Sequence, residues 1–159
     1  MNKIRFRNLS FVLLLAALIL PTWTPVQAAE LTCPENSPVV IDIKPGGYPN
    51  VINLSSKGLL PVAVLTTPEF DASQFTPEMA HLADANTAMT SGSCAGAMAV
   101  RWALDDVNSD GRPDLVFFFR IQDLNLTSSS TAASLMAHGS YGSTMVHIMG
   151  TDSVVVVTK

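Results

Sequence analysis

The segment from Asp106 to Asp114 is the part of the chain whose residue types and spacing best suit metal binding. Its sequence, DVNSDGRPD, places oxygen-bearing side chains at loop positions 1, 3, 5 and 9 and glycine at position 6, as at the start of an EF-hand-type loop. Ca²⁺ is a hard cation that takes about six to eight oxygen ligands, so alternate residues of a tight loop can all point inward. The spacing therefore predicts a Ca²⁺-binding loop.

The predicted ligands of this loop are oxygen atoms of alternate residues: Asp106, Asn108, Asp110, the backbone carbonyl of Arg112, and Asp114. Phe117 stands where an EF-hand has its bidentate glutamate, so the remaining ligands must come from elsewhere in the chain. The acidic candidates for them are Asp42, Asp105 and Asp123, and the amides of Asn50 and Asn53 are further candidates. The competing interpretation is an Asp/Asn-rich turn without metal, because these residues also favour turns for local reasons.

The loop lies between two apolar runs typical of β-strands. Such runs, rich in β-branched and aromatic residues, alternate along the chain with clusters of Gly, Pro, Asn and Ser. The predicted strands are Val39–Ile43, Leu59–Thr66, Ala97–Leu104, Leu115–Ile121, Ala132–Met136, Met145–Met149 and Ser153–Thr158. The best helix candidate is Thr76–Ala85, where Pro77 would occupy the first helical position.

This pattern predicts an all-β fold: a single antiparallel β-sandwich of immunoglobulin-like size, with about seven or eight strands and at most one short helix. The runs are apolar on both sides, which is typical of strands covered on both faces. Because Ca²⁺ would neutralise acidic side chains on a turn between two such strands, we expect its role to be structural.

The first 28 residues have the three parts of a secretory signal peptide. Lys3, Arg5 and Arg7 form the basic region, Phe11–Leu20 the apolar region, and Val26–Ala28 a small-residue cleavage site. The apolar run is about half the length that a membrane-spanning helix needs. We therefore expect cleavage after Ala28, no membrane insertion afterwards, and a secreted or periplasmic domain at residues 29–159.

The charge of the chain limits its partners. The formal net charge is −4, and it becomes more negative on cleavage because three of the nine basic residues leave with the signal peptide and all thirteen acidic residues stay. Nucleic acids and anionic membranes need basic patches, so neither is an expected partner. An extracellular glycan or protein partner stays open.

Cys33 and Cys94 would both remain in the exported domain. In an oxidising compartment two cysteines most simply form one disulfide, and two free thiols are the alternative.

Several segments resemble an uncharacterised domain of secreted bacterial proteins. The usual form of that domain reads IDIKPGSxPNxINLxSKGxxPVAIL, followed by DVNGDGxxDLVxxF. The matching segments are Ile41–Asn50, Ile52–Gly58, Leu60–Leu65, Phe70–Ser73, Asp106–Phe119 and Gly150–Val156. The resemblance implies an extracellular β-domain, often attached to larger secreted proteins, with no assigned activity. The loop alone is also similar to the calcium loops of integrin-type (FG-GAP) propeller repeats.

No residue pattern predicts catalysis. Gly92–Gly96 imitates a nucleophile elbow with Cys94 at its centre, but the chain lacks the alternating strands and helices that such an elbow needs. The three histidines show no zinc-type spacing, and the methionines are interpreted as packing. The prediction is a secreted, calcium-stabilised module with a structural or binding role. The alternatives are a carbohydrate- or surface-recognition module and, ranked below it, a small secreted hydrolase.

Overall fold

Along strands of this protein, residues that enter a common core alternate with residues that point away from it. The computed structural model describes residues 37–90 and 96–158. On the strand that contains Ala80 and Leu82, and on the strands beside it, every second side chain is buried in a common core. This is the period expected of a β-strand, whose successive side chains point to opposite faces. The signal peptide, Cys33 and Cys94 lie outside the described residues, as does the Gly92–Ala95 part of the elbow-like segment.

Ten strands, one short α-helix and two 3₁₀ turns make up the described chain. In order they are β1 (Ser37–Pro38), β2 (Ile41–Ile43), β3 (Val51–Asn53), β4 (Leu59–Val64), a 3₁₀ turn (Ala72–Gln74), β5 (Phe75–Asp84), α1 (Ala85–Thr90), β6 (Ala97–Asp105), β7 (Asp114–Arg120), a 3₁₀ turn (Ile121–Asp123), β8 (Ala132–Tyr141), β9 (Thr144–Ser153) and β10 (Val155–Val157). Within these residues no helix is long and apolar enough to cross a membrane.

Eight strands form one sheet in the order β1-β9-β8-β5-β6-β7-β4-β2, and β10 pairs with β3 in a small second sheet. Strands β5 and β6 are paired only at His81–Met98 and Leu82–Ala97, so the large sheet divides there into two halves. Buried residues of both halves belong to one core, including Phe117 of β7 and Leu135 of β8. The sheet therefore curls so that its halves face each other, as the layers of a sandwich do.

The ends of this curled sheet are joined by close packing of β9 against the β1–β2 segment. The backbone N–H of Ile43 donates a hydrogen bond to Asp152 Oδ2 at 2.9 Å, and the N–H of Val39 donates to the carbonyl of Met149 at 2.9 Å. Gly150 lies at this contact, where an added Cβ would meet the side chain of Ile41 and would lie 2.8 Å from the carbonyl oxygen of Val39. A residue without a side chain is therefore needed here.

The predicted all-β class is confirmed, with three corrections. Thr76–Ala85 is not a helix: all but its last residue lies in β5, and the helix begins at Ala85. The sheets are mixed rather than purely antiparallel, because β1 pairs parallel with β9 and β10 pairs parallel with β3. Strands β1 and β3 were not predicted: β1 precedes the predicted Val39–Ile43 strand, and the three residues of β3 lie between two turn clusters.

Candidate metal site

The predicted metal loop connects β6 to β7 at one end of the curled sheet. Asp105 ends β6 and pairs with Asp114, which begins β7, so the loop residues 106–113 form the turn of a hairpin. Ser109, with a φ of 61°, and Gly111, with a φ of 85°, adopt left-handed backbone conformations that let the chain reverse within a few residues. The hairpin fixes the position of the loop because β7 lies between β6 and β4 in the sheet.

Oxygen atoms of three predicted ligands surround the same stretch of backbone. The N–H of Asp110 donates to Asp106 Oδ1 at 3.1 Å and to Asn108 Oδ1 at 3.0 Å. The N–H of Gly111 donates to Asp106 Oδ2 at 2.9 Å, and Asn108 Nδ2 donates to Asp110 Oδ2 at 3.2 Å. The structure therefore brings Asp106, Asn108 and Asp110 together on the exposed side of the turn.

Arg112 contributes a charge that the sequence pattern did not assign to it. Its guanidinium Nη2 lies 3.1 Å from Asp110 Oδ2, and its backbone N–H donates to Asp110 Oδ1 at 2.9 Å. This backbone hydrogen bond is the main reason that the pKa of Asp110 is lowered from its ordinary value. The arginine side chain therefore partly neutralises the carboxylate of Asp110.

Asp114 differs from the three exposed residues of the loop because it is completely buried, with 0% of its surface exposed. Its Oδ1 accepts the backbone N–H of Thr66 at 2.8 Å, and its Oδ2 accepts that of Val107 at 3.1 Å. The carboxylate thus joins the loop to the chain that follows β4. In this arrangement Asp114 holds the base of the loop.

Thr66 also belongs to this site, although the sequence predicted it only as the last residue of a strand. Its hydroxyl donates to the carbonyl of Pro113 at 2.6 Å and accepts the N–H of Ala72 at 3.0 Å. Thr66 is buried. Its only signal in the sequence is that it is a polar residue at the end of an apolar run, where a buried hydroxyl needs hydrogen-bond partners.

The other candidate ligands lie in different surroundings. Asp42 is on β2, where burial and the charge of Asp152 raise its pKa. Asn50 donates to Asp152 Oδ2 and to the carbonyl of Ser153, which ties the turn after β2 to β9. Asp123 lies in the 3₁₀ turn at the opposite end of β7 from the loop. Asn53 accepts the N–H of Ser55, as a turn residue does; Asp105 alone adjoins the loop directly.

Among the described residues, no three His, Cys, Asp or Glu side chains form a ready metal-binding group. The exposed part of the loop instead combines two carboxylates with an amide oxygen, the donor types that hard cations such as Ca²⁺ prefer. Its residues thus fit a hard cation by type, and both carboxylates are currently bonded to N–H donors of the loop.

The fold and the loop define a class of protein: an all-β domain with a short acidic hairpin loop tied to its core by a buried aspartate. No protein-family model, curated protein or solved structure matches the chain.

Proposed function

We propose that this protein is an exported β-sandwich module that binds Ca²⁺ at residues 106–114 and uses the ion for stability, with no catalytic activity. The observation that carries the proposal is the convergence of Asp106, Asn108 and Asp110 around one turn of the hairpin. Bound Ca²⁺ would supply positive charge to carboxylates that otherwise repel each other. The signal-like first 28 residues support export, and the acidic composition suits a cation site.

Ion binding in the loop can stabilise the core because the base of the loop is hydrogen-bonded to buried parts of the sheet. Asp114, at its base, is bonded to the segment after β4, and Leu115 and Phe117 next along β7 are fully buried. Ordering of residues 106–113 would therefore restrain the buried strand β7 and its neighbour β6. At millimolar Ca²⁺, a Kd of about 10⁻⁴ M would add about 1–2 kcal/mol to the free energy of unfolding.

The test is a thermal melt of the exported protein in millimolar Ca²⁺ and in EDTA. We expect Ca²⁺ to raise the Tm by about 3–10 °C. Asp110→Ala should abolish this rise, whereas Glu69→Gln, which removes an exposed carboxylate elsewhere, should retain it. Equal Tm values in Ca²⁺ and EDTA for the unmodified protein would reject the calcium proposal and leave the loop as a turn.

A second candidate function is recognition of a carbohydrate or another surface, and one observation favours it. Strand β6 exposes four large apolar side chains: Met98, Val100, Trp102 and Leu104. Trp102 is 46% exposed and lines a groove of about 280 Å³ between β5 and β6, where the two halves of the sheet separate. Aromatic rings that are open on one face can stack on the apolar face of a sugar or pack against a protein.

A glycan array tests this second function. Binding to a defined glycan should be lost in Trp102→Ala and retained in Tyr48→Ala, which removes an aromatic side chain that is 95% exposed elsewhere. An array without any bound glycan would reject carbohydrate recognition while leaving the calcium melt as an independent result.

A further inference from the structure

One face of the sheet, across β9, β8, β5 and the first residues of β6, carries most of the described sulfur and imidazole side chains. Paired residues lie on the same face of a sheet, so the register assigns the members of this face directly. The face comprises all three histidines and five of the seven methionines of the chain: Met79, His81, Met98, Met136, His138, Met145, His147 and Met149. Its alternate residues, such as Leu82 and Leu135, belong to the main core, so this face is the outer one.

Four of these residues form a square on two adjacent strands. Met79 of β5 lies directly opposite His138 of β8, and His81 lies directly opposite Met136. Directly opposed Cβ atoms are about 5 Å apart, and diagonal neighbours are within reach of long side chains. Two thioether and two imidazole groups can therefore approach one point above the sheet.

One ring nitrogen of His81, a member of this square, makes no hydrogen bond and could bind a metal ion. Its Nδ1 is buried and has no hydrogen-bond partner, the only such side-chain nitrogen or oxygen among the residues that the structure describes. A buried polar atom without a partner lowers stability, so each one requires an explanation. The cross-strand neighbours of His81 are Met98 and Met136, whose thioethers are poor hydrogen-bond partners.

The register of β5 shifts at Glu78, and the carboxylate of this residue lies beside the square. The bulge falls between Pro77 and Met79, and Glu78 Oε2 lies 3.8 Å from His138 Nε2. Histidines that bind metals commonly present their other ring nitrogen to a carboxylate, which orients the ring. A carboxylate near Nε2 leaves Nδ1 of His138 free for an ion.

We propose that Met79, His81, Met136 and His138 bind a soft monovalent metal ion, copper(I), on the outer face of the sheet. Thioethers select Cu(I) over hard cations such as Ca²⁺ and Mg²⁺, and imidazole is also a ligand of copper. Zn²⁺ fits less well, because its sites use thiolate, imidazole and carboxylate ligands and no group of three such side chains is arranged for it in residues 37–90 and 96–158. The site is independent of the calcium loop.

The spacing that produces this site is visible in the sequence once the strands are known. Met79-x-His81 and Met136-x-His138 place both members of each pair on one face, because side chains of a strand alternate with period two. Strands β5 and β8 then align the two pairs in opposite directions, so that each methionine faces a histidine.

Silver(I), a redox-inert substitute for Cu(I), provides a direct test. The protein is labelled with ¹³C at its methionine methyl groups, its free thiols are alkylated, and Ag(I) is added in the presence of Ca²⁺. We expect the methyl signals of Met79 and Met136 to shift and to saturate at one equivalent. The signal of Met145, which is on the same face but opposite Ser140, should stay in place.

Affinity measurements on variants complete the test. Met136→Leu and His81→Gln should each lower the affinity for Ag(I), and for Cu(I) in competition with a chromophoric chelator, by at least about tenfold. Met145→Leu is the matched control and should leave the affinity unchanged. Because Met136 is only 6% exposed, the melting temperature of Met136→Leu is measured alongside; a volume-conserving exchange of this kind should keep the fold.

Two results would overturn the proposal. Methyl shifts that follow solvent exposure, largest at Met98 and Met145, would indicate adventitious binding to surface thioethers. Unshifted signals of Met79 and Met136 at saturating Ag(I) would show that the square does not bind the ion.

Discussion

Thr66 and Asp114 are joined by a buried hydrogen bond of 2.8 Å from the backbone N–H of Thr66 to Asp114 Oδ1. The second carboxylate oxygen accepts the N–H of Val107, so one fully buried side chain satisfies two backbone donors from segments far apart in sequence. This arrangement makes the base of the acidic loop part of the core, whereas its tip is exposed.

Asp114→Ala should therefore destabilise the domain whether or not Ca²⁺ is present. The substitution leaves two backbone N–H groups without their acceptor, at a cost of about 2–5 kcal/mol in the free energy of unfolding. Urea unfolding in EDTA measures this loss without any contribution from the ion. Asp114→Asn keeps one acceptor oxygen and should lose less. A loss below about 1 kcal/mol in Asp114→Ala would mean that the two hydrogen bonds contribute little.

Arg112→Ala should strengthen Ca²⁺ binding. The guanidinium lies 3.1 Å from Asp110 Oδ2 and competes with a cation for that oxygen. An exposed ion pair contributes about 0.2–1 kcal/mol, so its removal should lower the Kd by a factor of up to about five. Calorimetric titration compares it with Arg120→Ala, an exposed arginine at the far end of β7, which should show no change. A weaker affinity in Arg112→Ala would contradict the competition.

Asp42→Asn should stabilise the domain at neutral pH. Burial, and secondly the charge of Asp152, raise the pKa of Asp42 in the folded state, so its ionised form is disfavoured there. As the pH falls, the folded protein binds this proton before the unfolded chain does, and the stability of the unmodified protein relative to Asp42→Asn rises. The difference in Tm between the two proteins should therefore be largest at neutral pH and shrink in acid.

Asp71→Asn serves as the control of opposite sign. Hydrogen bonds, chiefly from the Ser73 side chain, lower the pKa of Asp71, so its ionised form is favoured in the folded state. Its substitution should reduce the Tm at neutral pH, and this loss should disappear as the pH falls through the folded-state pKa. Parallel pH profiles for the two variants would reject one of the two assignments, and the sign of the shared profile shows which.

The strands were predictable where runs of β-branched and aromatic residues mark them locally. The helix prediction was wrong because pairing with a distant strand overrides the local preference. Thr76-Pro77-Glu78 has the composition of a helix start. The segment is nevertheless extended, because β5 as a whole pairs with β8 along nine residue pairs and its Ala80 and Leu82 enter the core. The residues of β5 alone do not indicate that β8 will pair with them. Tertiary pairing therefore decided this element.

The candidate sites divide in the same way. The clustering of Asp106, Asn108 and Asp110 follows from their spacing within one turn. The burial of Asp114 depends on Thr66, 48 residues earlier, and could not be predicted from the loop alone. Likewise, the alignment of Met79 with His138 depends on the register of β5 and β8, which single-strand patterns do not specify.

Gly150→Ala should test whether the curled sheet depends on the close contact between β9 and the β1–β2 segment. An added Cβ would overlap Ile41 and lie 2.8 Å from the carbonyl oxygen of Val39, so the backbone of one segment must move. Overpacking of this kind costs about 1–3 kcal/mol, measurable by urea unfolding. Gly58→Ala is the matched control: Gly58 is exposed, and its nearest neighbour would be the Ser56 hydroxyl at 3.3 Å. An unchanged stability in Gly150→Ala would mean that the β1–β2 segment can move away from β9 without loss, and closure of the sheet would then contribute little to the fold.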